Sequence, residues 1–331
     1  MKPLIERKIT YVIIDENIIT RYPFKEYLQP GRFYILKATE ENKTMGKAEE
    51  IIDEIIKMDS KKNTLLIAIG GGIVQDLTCF IASILYRGIN WVLVPTTLLA
   101  QTDSCIGSKS SINYKHFKNL VGTFYPPSEI IVSPTFLDSL TMKDYCSGLG
   151  EIVKIQLMIS QDNYRDFSDN VEKLLNRDYN LLMTFVKRTL AYKKGLIEED
   201  EFDAGIRNIL NYGHTFGHAI ETSTEYFVPH GQAVSIGILI ANKISEKMGL
   251  ITKQYEEEVF STIVKIISPE FKKSQILETE RIVSSMKMDK KFTGTHNCIL
   301  LGEGGARMHK NVEETLIKDA MDEVRTQLEK Q

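Results

Sequence analysis

Three histidines carry the densest chemistry in this chain. Of its six histidines, His214, His218 and His230 fall in one short stretch, Asn211-Tyr-Gly-His214-Thr-Phe-Gly-His218-Ala-Ile-Glu221 followed by His230-Gly-Gln232. If residues 204–225 form a helix, His214 and His218 stand one turn apart on one face and can converge on one small object, with His230 opening the next segment. Two imidazoles and a carboxylate hold a divalent ion and leave a coordination position open for catalysis. The carboxylate candidate is Glu151, in Gly148-Leu-Gly-Glu151-Ile-Val-Lys154, which starts a helical pattern beside two glycines that permit close approach. The alternative is that the paired histidines only make core hydrogen bonds on an amphipathic helix.

A second group of residues suits an anion. Ile69-Gly70-Gly71-Gly72-Ile-Val-Gln75-Asp76 follows a strand-like run and opens a helical one, so backbone amides and a helix N-terminus can receive a phosphate or pyrophosphate there. The spacing is not Gly-x-Gly-x-x-Gly, and a tight structural turn would read the same way. Asp15-Glu-Asn17 follows the first strand and Glu40-Glu-Asn-Lys43 the second, where adenosine-contacting groups sit in nucleotide-binding sheets. Pro95-Thr96-Thr97 ends a further strand, and the chain then turns polar through Asp103, Ser108 and Lys109 to Lys118-Asn119. A loop at the carboxyl edge of the sheet is expected there, with Asp103, Lys109, Lys118 and Asn119 facing a ligand. Lys154, one turn after Glu151, joins Lys193, Arg207 and Asn211, the last two on the face of His214 if the helix is continuous. Gathered round a metal, these groups would suit a small polyanion such as a phosphorylated acid.

The elements that must position these groups fall into two textures. Tyr11-Val-Ile-Ile14, Arg32–Leu36, Leu65–Ile69, Trp91-Val-Leu-Val94 and Ile130-Ile-Val132 read as buried parallel strands, with helical spacing over Met45–Met58 and Val74–Tyr86 between them. Residues 1–135 are therefore expected to form a doubly wound, Rossmann-like α/β domain. From 136 to 331 helical patterns dominate, over 143–158, 179–198, 204–225, 231–248, 252–266 and 312–328, with a hairpin near Cys298–Leu301. This half is expected to be an α-helical domain that binds metal and substrate, the cleft between the two being the default ligand site.

Composition narrows the function. With 331 residues, 43% hydrophobic and 26% charged, the chain reads as an ordinary soluble globular protein. A net charge of −3 supplies no basic footprint for nucleic acid. The longest apolar runs, Cys79–Tyr86 and Ala233–Ala241, fall far short of a membrane span, and the start lacks a signal-peptide pattern, so a cytoplasmic location is expected. Cys79, Cys105, Cys146 and Cys298 are scattered and read as buried thiols, with Cys105 alone placed in a polar, glycine-containing loop where a thiolate could act.

Taken together the residues resemble the 3-dehydroquinate synthase family, within the sugar phosphate cyclases and the wider superfamily of iron-dependent alcohol and glycerol dehydrogenases. The resemblance covers roughly residues 10–305. It runs in order through Gly70–Gly72, Asp76, Tyr86-Arg87-Gly88, Val94–Thr97, Asp103, Lys109, Lys118-Asn119, Gly150–Lys154, Asp200-Glu201, Gly213–His218 and His230-Gly231. It implies a zinc- or cobalt-type ion on Glu151, His214 and His230, and NAD on Asp15, Asn17, Glu40, Lys43, Gly71, Gly72, Asp76, Thr96 and Thr97. It further implies His218 as a phosphate or proton-transfer partner. Lys109, Lys118, Asn119, Lys154, Lys193, Arg207 and Asn211 would hold the carboxylate, hydroxyls and phosphate, and Asp103 a substrate hydroxyl. Arg87 would reach across a homodimer interface, and Lys290 or Lys291 would add a phosphate contact. The implied substrate is 3-deoxy-D-arabino-heptulosonate 7-phosphate, a phosphorylated sugar acid, and the products are 3-dehydroquinate and phosphate. NAD would be consumed and regenerated within one turnover.

Three positions depart from the family pattern. Gln75 and Ser108 stand where glycine is usual, and Gln232 where glutamate follows His-Gly. They leave open a paralogous cyclase, inosose- or valiolone-type, while Lys193, Arg207 and Asn211 favour an acid substrate. A metal-dependent polyol dehydrogenase is a further alternative, set apart by net NADH production.

Overall fold

The computed structural model describes residues 9–115, 117–203, 205–288 and 294–331. The chain divides into two compact units, the first ending at Leu140 and the second beginning at Thr141.

In the first unit, strands β1 (Thr10–Asp15), β2 (Phe33–Leu36), β3 (Leu65–Gly70), β4 (Trp91–Pro95) and the short β7 (Glu129–Ile130) form a parallel sheet in the order β2-β1-β3-β4-β7. The central strands are apolar along their length, and β3 and β4 are buried almost throughout, as strands covered on both faces must be. Helices α1 (Glu16–Arg21), α2 (Met45–Lys57) and α3 (Gly72–Ile84) follow β1, β2 and β3. The α2 helix buries Ala48, Ile51 and Ile55 at helical spacing and is capped by the Thr44 side chain. From β1 the chain steps outward to β2, then returns to add β3 and β4 on the other side. The winding therefore reverses between β1 and β3, and at such a switch point the carboxyl ends of the strands splay into a crevice.

Between β4 and β7 the structure corrects the expected loop. Strands β5 (Lys109–Tyr114) and β6 (Phe117–Phe124) pair as an antiparallel hairpin, Lys109 opposite Phe124. The hairpin was hidden because Ile112 is the sole large aliphatic residue of β5; without alternation, period-2 reading finds no strand. The first unit also runs past residue 135. A 3₁₀ segment, Pro134–Ser139, buries Phe136 and Leu137, and Phe136 joins the core of Ile14, Ile18, Phe24, Ile69 and Val94.

The second unit is mostly helical: α4 (Met142–Ile159), α5 (Gln161–Leu175), α6 (Tyr179–Glu199), α7 (His214–Ser223), α8 (His230–Lys247), α9 (Lys253–Ile266), α10 (Thr279–Met288) and α11 (Glu314–Leu328). The expected hairpin is present as β8 (His296–Gly302) and β9 (Gly305–Val312). The expected single helix over 204–225 is not. Ile206–Asn211 is a 3₁₀ segment, Gly213 takes a left-handed φ of 78°, and α7 begins only at His214. A side chain at Gly213 would also strike Ile238 Cγ1 at 2.7 Å, so the break is fixed by packing against α8. Arg207 and Asn211 consequently do not share a helix face with His214. Among the described residues no helix is long and apolar enough to cross a membrane.

Candidate metal centre and cofactor edge

Helix α8 organises the second unit's site, because two other helices approach it more closely than side chains normally allow. At the crossing with α4, a Cβ on Gly150 would lie 2.4 Å from the Gly231 carbonyl oxygen, and one on Gly231 would lie 1.9 Å from that of Ser147. The Gly231 N–H donates to Ser147 Oγ at 2.9 Å and pins the register. This crossing sets Glu151, mid-way along α4, beside His230, the first residue of α8. Helix α7 packs on the next turns, with Gly217 against Ala233 and Val234, and brings His214 and His218 to the same point.

There the donors converge. Glu151 is fully buried, and its Oε1 lies 3.6 Å from Nε2 of both His214 and His230. Neither Glu151 oxygen has a hydrogen-bond partner; Lys154 Nζ is 2.5 Å from Oε2, close in charge but outside hydrogen-bond geometry. The far nitrogen of each imidazole is occupied: His214 Nδ1 faces the Tyr212 carbonyl at 3.2 Å and His230 Nδ1 faces Glu221 Oε2 at 3.1 Å. If both Nδ1 atoms carry the proton, both Nε2 lone pairs point toward Glu151 Oε1. Ligand atoms around one tetrahedral zinc-type ion at ~2.0–2.2 Å stand roughly 3.3–3.6 Å apart, so the spacing fits. His214, His218 and His230 form a donor set of their own, with ligand atoms within 4.8 Å of one another. The set containing Glu151 is preferred, because the other leaves a buried carboxylate oxygen without a partner.

The remaining second-unit candidates distribute as follows. Lys154 joins the centre through its contact with Glu151, the two being buried on one face of α4. His218 joins it too, its ring centroid 5.3 Å from that of His214 and 5.7 Å from that of His230. Lys193 is buried on α6. Arg207 is buried on the 3₁₀ segment, where its Nη1 donates to the Glu201 carbonyl at 2.6 Å and its backbone N–H to Asp200 Oδ2 at 3.1 Å. Asn211 Nδ2 donates to the Asn208 carbonyl at 3.0 Å. Lys290 and Lys291 lie outside the described residues. Glu221 was read only as the end of the histidine motif; a carboxylate one turn beyond His218 was the signal for its role as an imidazole partner.

In the first unit, the expected cofactor residues stand at the carboxyl ends of β1, β2, β3 and β4. Asp15 Oδ1 accepts from the Asn17 backbone at 2.8 Å and from its side chain at 3.2 Å, which makes Asp15 the cap of α1; burial pushes its carboxyl above the ordinary range. Gly71 caps α3, and a Cβ there would lie 2.9 Å from Thr97 Cγ2, whereas the space above Gly72 is open. The Thr96 N–H donates to the Gly70 carbonyl at 3.0 Å. Glu40, Lys43, Asp76 and Asn119 belong to one network. Lys43 Nζ is 2.5 Å from Asp76 Oδ2 and donates to Asn119 Oδ1 at 2.7 Å; the Asn119 N–H donates to Asn113 Oδ1 at 2.9 Å, and Asn113 Nδ2 to Glu40 Oε1 at 2.8 Å. Burial raises the Asp76 carboxyl, with Lys43 acting against it. Asp103 sits on a π-helical turn, Ala100–Ser104. Lys109 lies over the Phe124 ring at 5.8 Å, and Lys118 follows Phe117 on β6. Arg87 is exposed in a left-handed conformation. Cys105 is buried with its thiol 3.5 Å from the Gln101 carbonyl, so the loop thiolate considered from the sequence has no exposed position to act from.

Family models for 3-dehydroquinate synthase match this chain in two consecutive parts, the N-terminal one over residues 33–147 and the C-terminal one over 148–292. The chain belongs to the 3-dehydroquinate synthase family. The 3-dehydroquinate synthase of Alkaliphilus oremlandii is 33% identical over 97% of this chain and 90% of its own length. That of Geotalea uraniireducens is 41% identical over 75% of this chain and 70% of its own. Among solved structures, 2-deoxy-scyllo-inosose synthase complexed with carbaglucose-6-phosphate, NAD+ and Co2+ superposes with a TM-score of 0.81 at 26% identity, covering 95% of this chain and 90% of that one. The 2-epi-5-epi-valiolone synthase of Streptomyces hygroscopicus, with NAD+ and Zn2+ bound, superposes at 0.85 and 22% identity over 96% and 91%, a likeness of fold.

Of the three departures from the family pattern, Gln232 and Gln75 have local explanations and nothing in the structure explains Ser108. Gln232 is fully buried and points to the end of α9: its Nε2 donates to the Ile266 carbonyl at 2.8 Å and its Oε1 accepts from the Ser268 N–H at 2.8 Å. An amide does both; a carboxylate can only accept. Ser108 takes a φ of 60°, a conformation glycine adopts without strain. Gln75 reaches across to the π-helical turn.

Proposed function

We propose that this chain is a carbon–oxygen lyase that converts 3-deoxy-D-arabino-heptulosonate 7-phosphate to 3-dehydroquinate and phosphate, using a divalent ion and a catalytic charge of NAD. The observation that carries the reading is the buried Glu151 Oε1, without a hydrogen-bond partner and 3.6 Å from Nε2 of both His214 and His230, at the spacing of ligand atoms around one ion. Glu151, His214 and His230 hold the ion, and the carboxyl ends of β1, β2, β3 and β4 hold NAD through Asp15, Asn17, Glu40, Lys43, Gly71, Gly72, Asp76, Thr96 and Thr97. When bound, the ion polarises a substrate hydroxyl and NAD takes up and returns one hydride.

The chain's own groups do the rest. Lys154 places its Nζ 2.5 Å from Glu151 Oε2 and so holds the orientation of that side chain within the buried site. His218, beside both ligating imidazoles, moves a proton at the reacting carbon or the leaving phosphate. Lys193, Arg207 and Asn211 orient the acid group, and Asp103, Lys109, Lys118 and Asn119 take hydroxyls and phosphate. The hydrogen bond from Arg207 Nη1 to the Glu201 carbonyl orients its guanidinium before substrate arrives, and that from its backbone N–H to Asp200 Oδ2 anchors the segment that carries it. The working form is a cytoplasmic homodimer, with the exposed Arg87 contributing across the interface.

The likeness to the inosose synthase favours one second reading, a cyclase acting on a hexose 6-phosphate. Purified chain supplied with NAD, zinc or cobalt and the heptulosonate phosphate decides between them. One phosphate released per molecule of dehydroquinate mass, with no net NADH, is the expected result. Turnover of the hexose phosphate alone establishes the second reading, and net NADH from a polyol would make the chain a dehydrogenase.

A further inference from the structure

Gln75 sits in the first turn of α3, directly after the glycine turn, where its backbone N–H donates to the Gly71 carbonyl at 3.0 Å. Its side chain is buried and spends both ends of its amide on one residue. Nε2 donates to the Ser104 carbonyl at 2.5 Å, and Oε1 accepts from Ser104 Oγ at 2.8 Å. Ser104 closes the π-helical turn that carries Asp103. π-Helical turns are energetically poor and persist where surrounding contacts impose them. The other end of the same segment is fixed at Thr97, whose Oγ1 accepts from the Ala100 N–H at 3.1 Å and whose methyl packs over Gly71. Glycine, the family's usual residue at position 75, has no side chain with which to make the clamp.

We propose that Gln75 is a positioning residue that ties the turn carrying Asp103 to the first turn of α3, so that the Asp103 carboxylate is held in place before substrate binds. The proposal rests on the reading of Asp103 as a contact to a substrate hydroxyl. Two hydrogen bonds at about 0.5–1 kcal/mol each correspond to roughly a 5- to 30-fold effect on the population of the ordered turn, of which tenfold is the middle.

The test compares wild type with Gln75→Ala, Gln75→Gly, Ser104→Ala and the double variant Gln75→Ala/Ser104→Ala. Amide hydrogen exchange over residues 100–105 is read in each without substrate. The clamp predicts exchange about tenfold faster there in Gln75→Ala, unchanged in α8, with the double variant no faster than the worse single one. In turnover assays kcat/KM for the heptulosonate phosphate falls by about the same factor, while NAD affinity stays within twofold. Unaltered exchange at 100–105 overturns the clamp whatever the substrate proves to be. Faster exchange with kcat/KM unchanged in an active enzyme overturns the link to Asp103. A metal-loaded, inactive wild type would instead count against the substrate reading, and the exchange arm still decides the clamp.

Discussion

Gln232→Glu introduces the glutamate that the family resemblance leads one to expect after His230-Gly231, so it separates a change of chemistry from a change of packing. In this chain the Gln232 amide is fully buried and satisfies the Ile266 carbonyl and the Ser268 N–H, each at 2.8 Å. A carboxylate keeps the second bond and replaces the first donor with an oxygen facing an oxygen. Leaving one buried acceptor unmet costs about 1–3 kcal/mol, and charging the replacement without a cation adds to that. We therefore expect a loss of about 3 kcal/mol, which in a unit of this size lowers the melting temperature by roughly 6–12 °C. Thermal unfolding by circular dichroism, with metal loading verified, reads the first quantity; steady-state kinetics well below the transition reads the second. The expected result is a lower melting temperature with KM and substrate preference unchanged. An unchanged melting temperature with an altered substrate preference would refute the argument that Gln232 serves the end of α9.

Glu221→Gln leaves the fold intact but weakens the acceptor for His230 Nδ1, and should loosen zinc by about 10- to 100-fold in a chelator competition. Glu151→Ala should abolish stoichiometric metal content by elemental analysis without unfolding the chain, since it removes the carboxylate facing both imidazoles. Burial raises Cys79 and Cys298 to about 12 and Cys146 to about 11, so native protein at pH 8 should show negligible reaction with a thiol reagent, and full reaction only after unfolding. Lys287, His296 and Lys318 draw Glu314 down to about 2. A folded pKa below the unfolded one stabilises at pH above the ordinary carboxylate range and is lost as pH falls toward 2. The melting-temperature deficit of Glu314→Gln should accordingly be present at pH 6 and shrink below about 4.

What the sequence disclosed follows from what each signal depends on. Buried parallel strands such as β3 and β4 announce themselves because both faces are apolar, and α4, α6, α8, α9 and α11 because their apolar spacing is long and regular. The helix assumed over 204–225 failed at Gly213, whose left-handed φ is imposed by α8, a contact no local pattern contains. The β5–β6 hairpin failed because β5 has one large aliphatic residue and the apolar residues of β6, Phe117, Leu120, Val121 and Phe124, do not alternate with polar ones. At the candidate site, residues could be named from the sequence but their connections could not. That Lys43 reaches Asp76 and Asn119, or that Gln75 holds Ser104, depends on elements far apart in the chain. The side-chain direction of Gln232 was equally invisible, since nothing in the run His230-Gly-Gln232 says that its amide reaches the end of another helix.

The close crossing of α4 and α8 has a consequence for how such a protein can change over generations. The positions that set the geometry of Glu151 and His230 are Ser147, Gly150, Gly231 and Ser235, none of which carries out chemistry. A Cβ added at Gly150 or Gly231 meets a backbone oxygen at 2.4 or 1.9 Å and forces the two helices apart, displacing Glu151 and His230, so mutational tolerance at these two glycines should be as low as at Glu151 and His230 themselves. The hairpin and the π-helical turn rest on side-chain contacts that substitution can renegotiate one at a time. Selection for new substrates, in nature or in a library, should find its variation in those peripheral segments while the helical frame stays fixed.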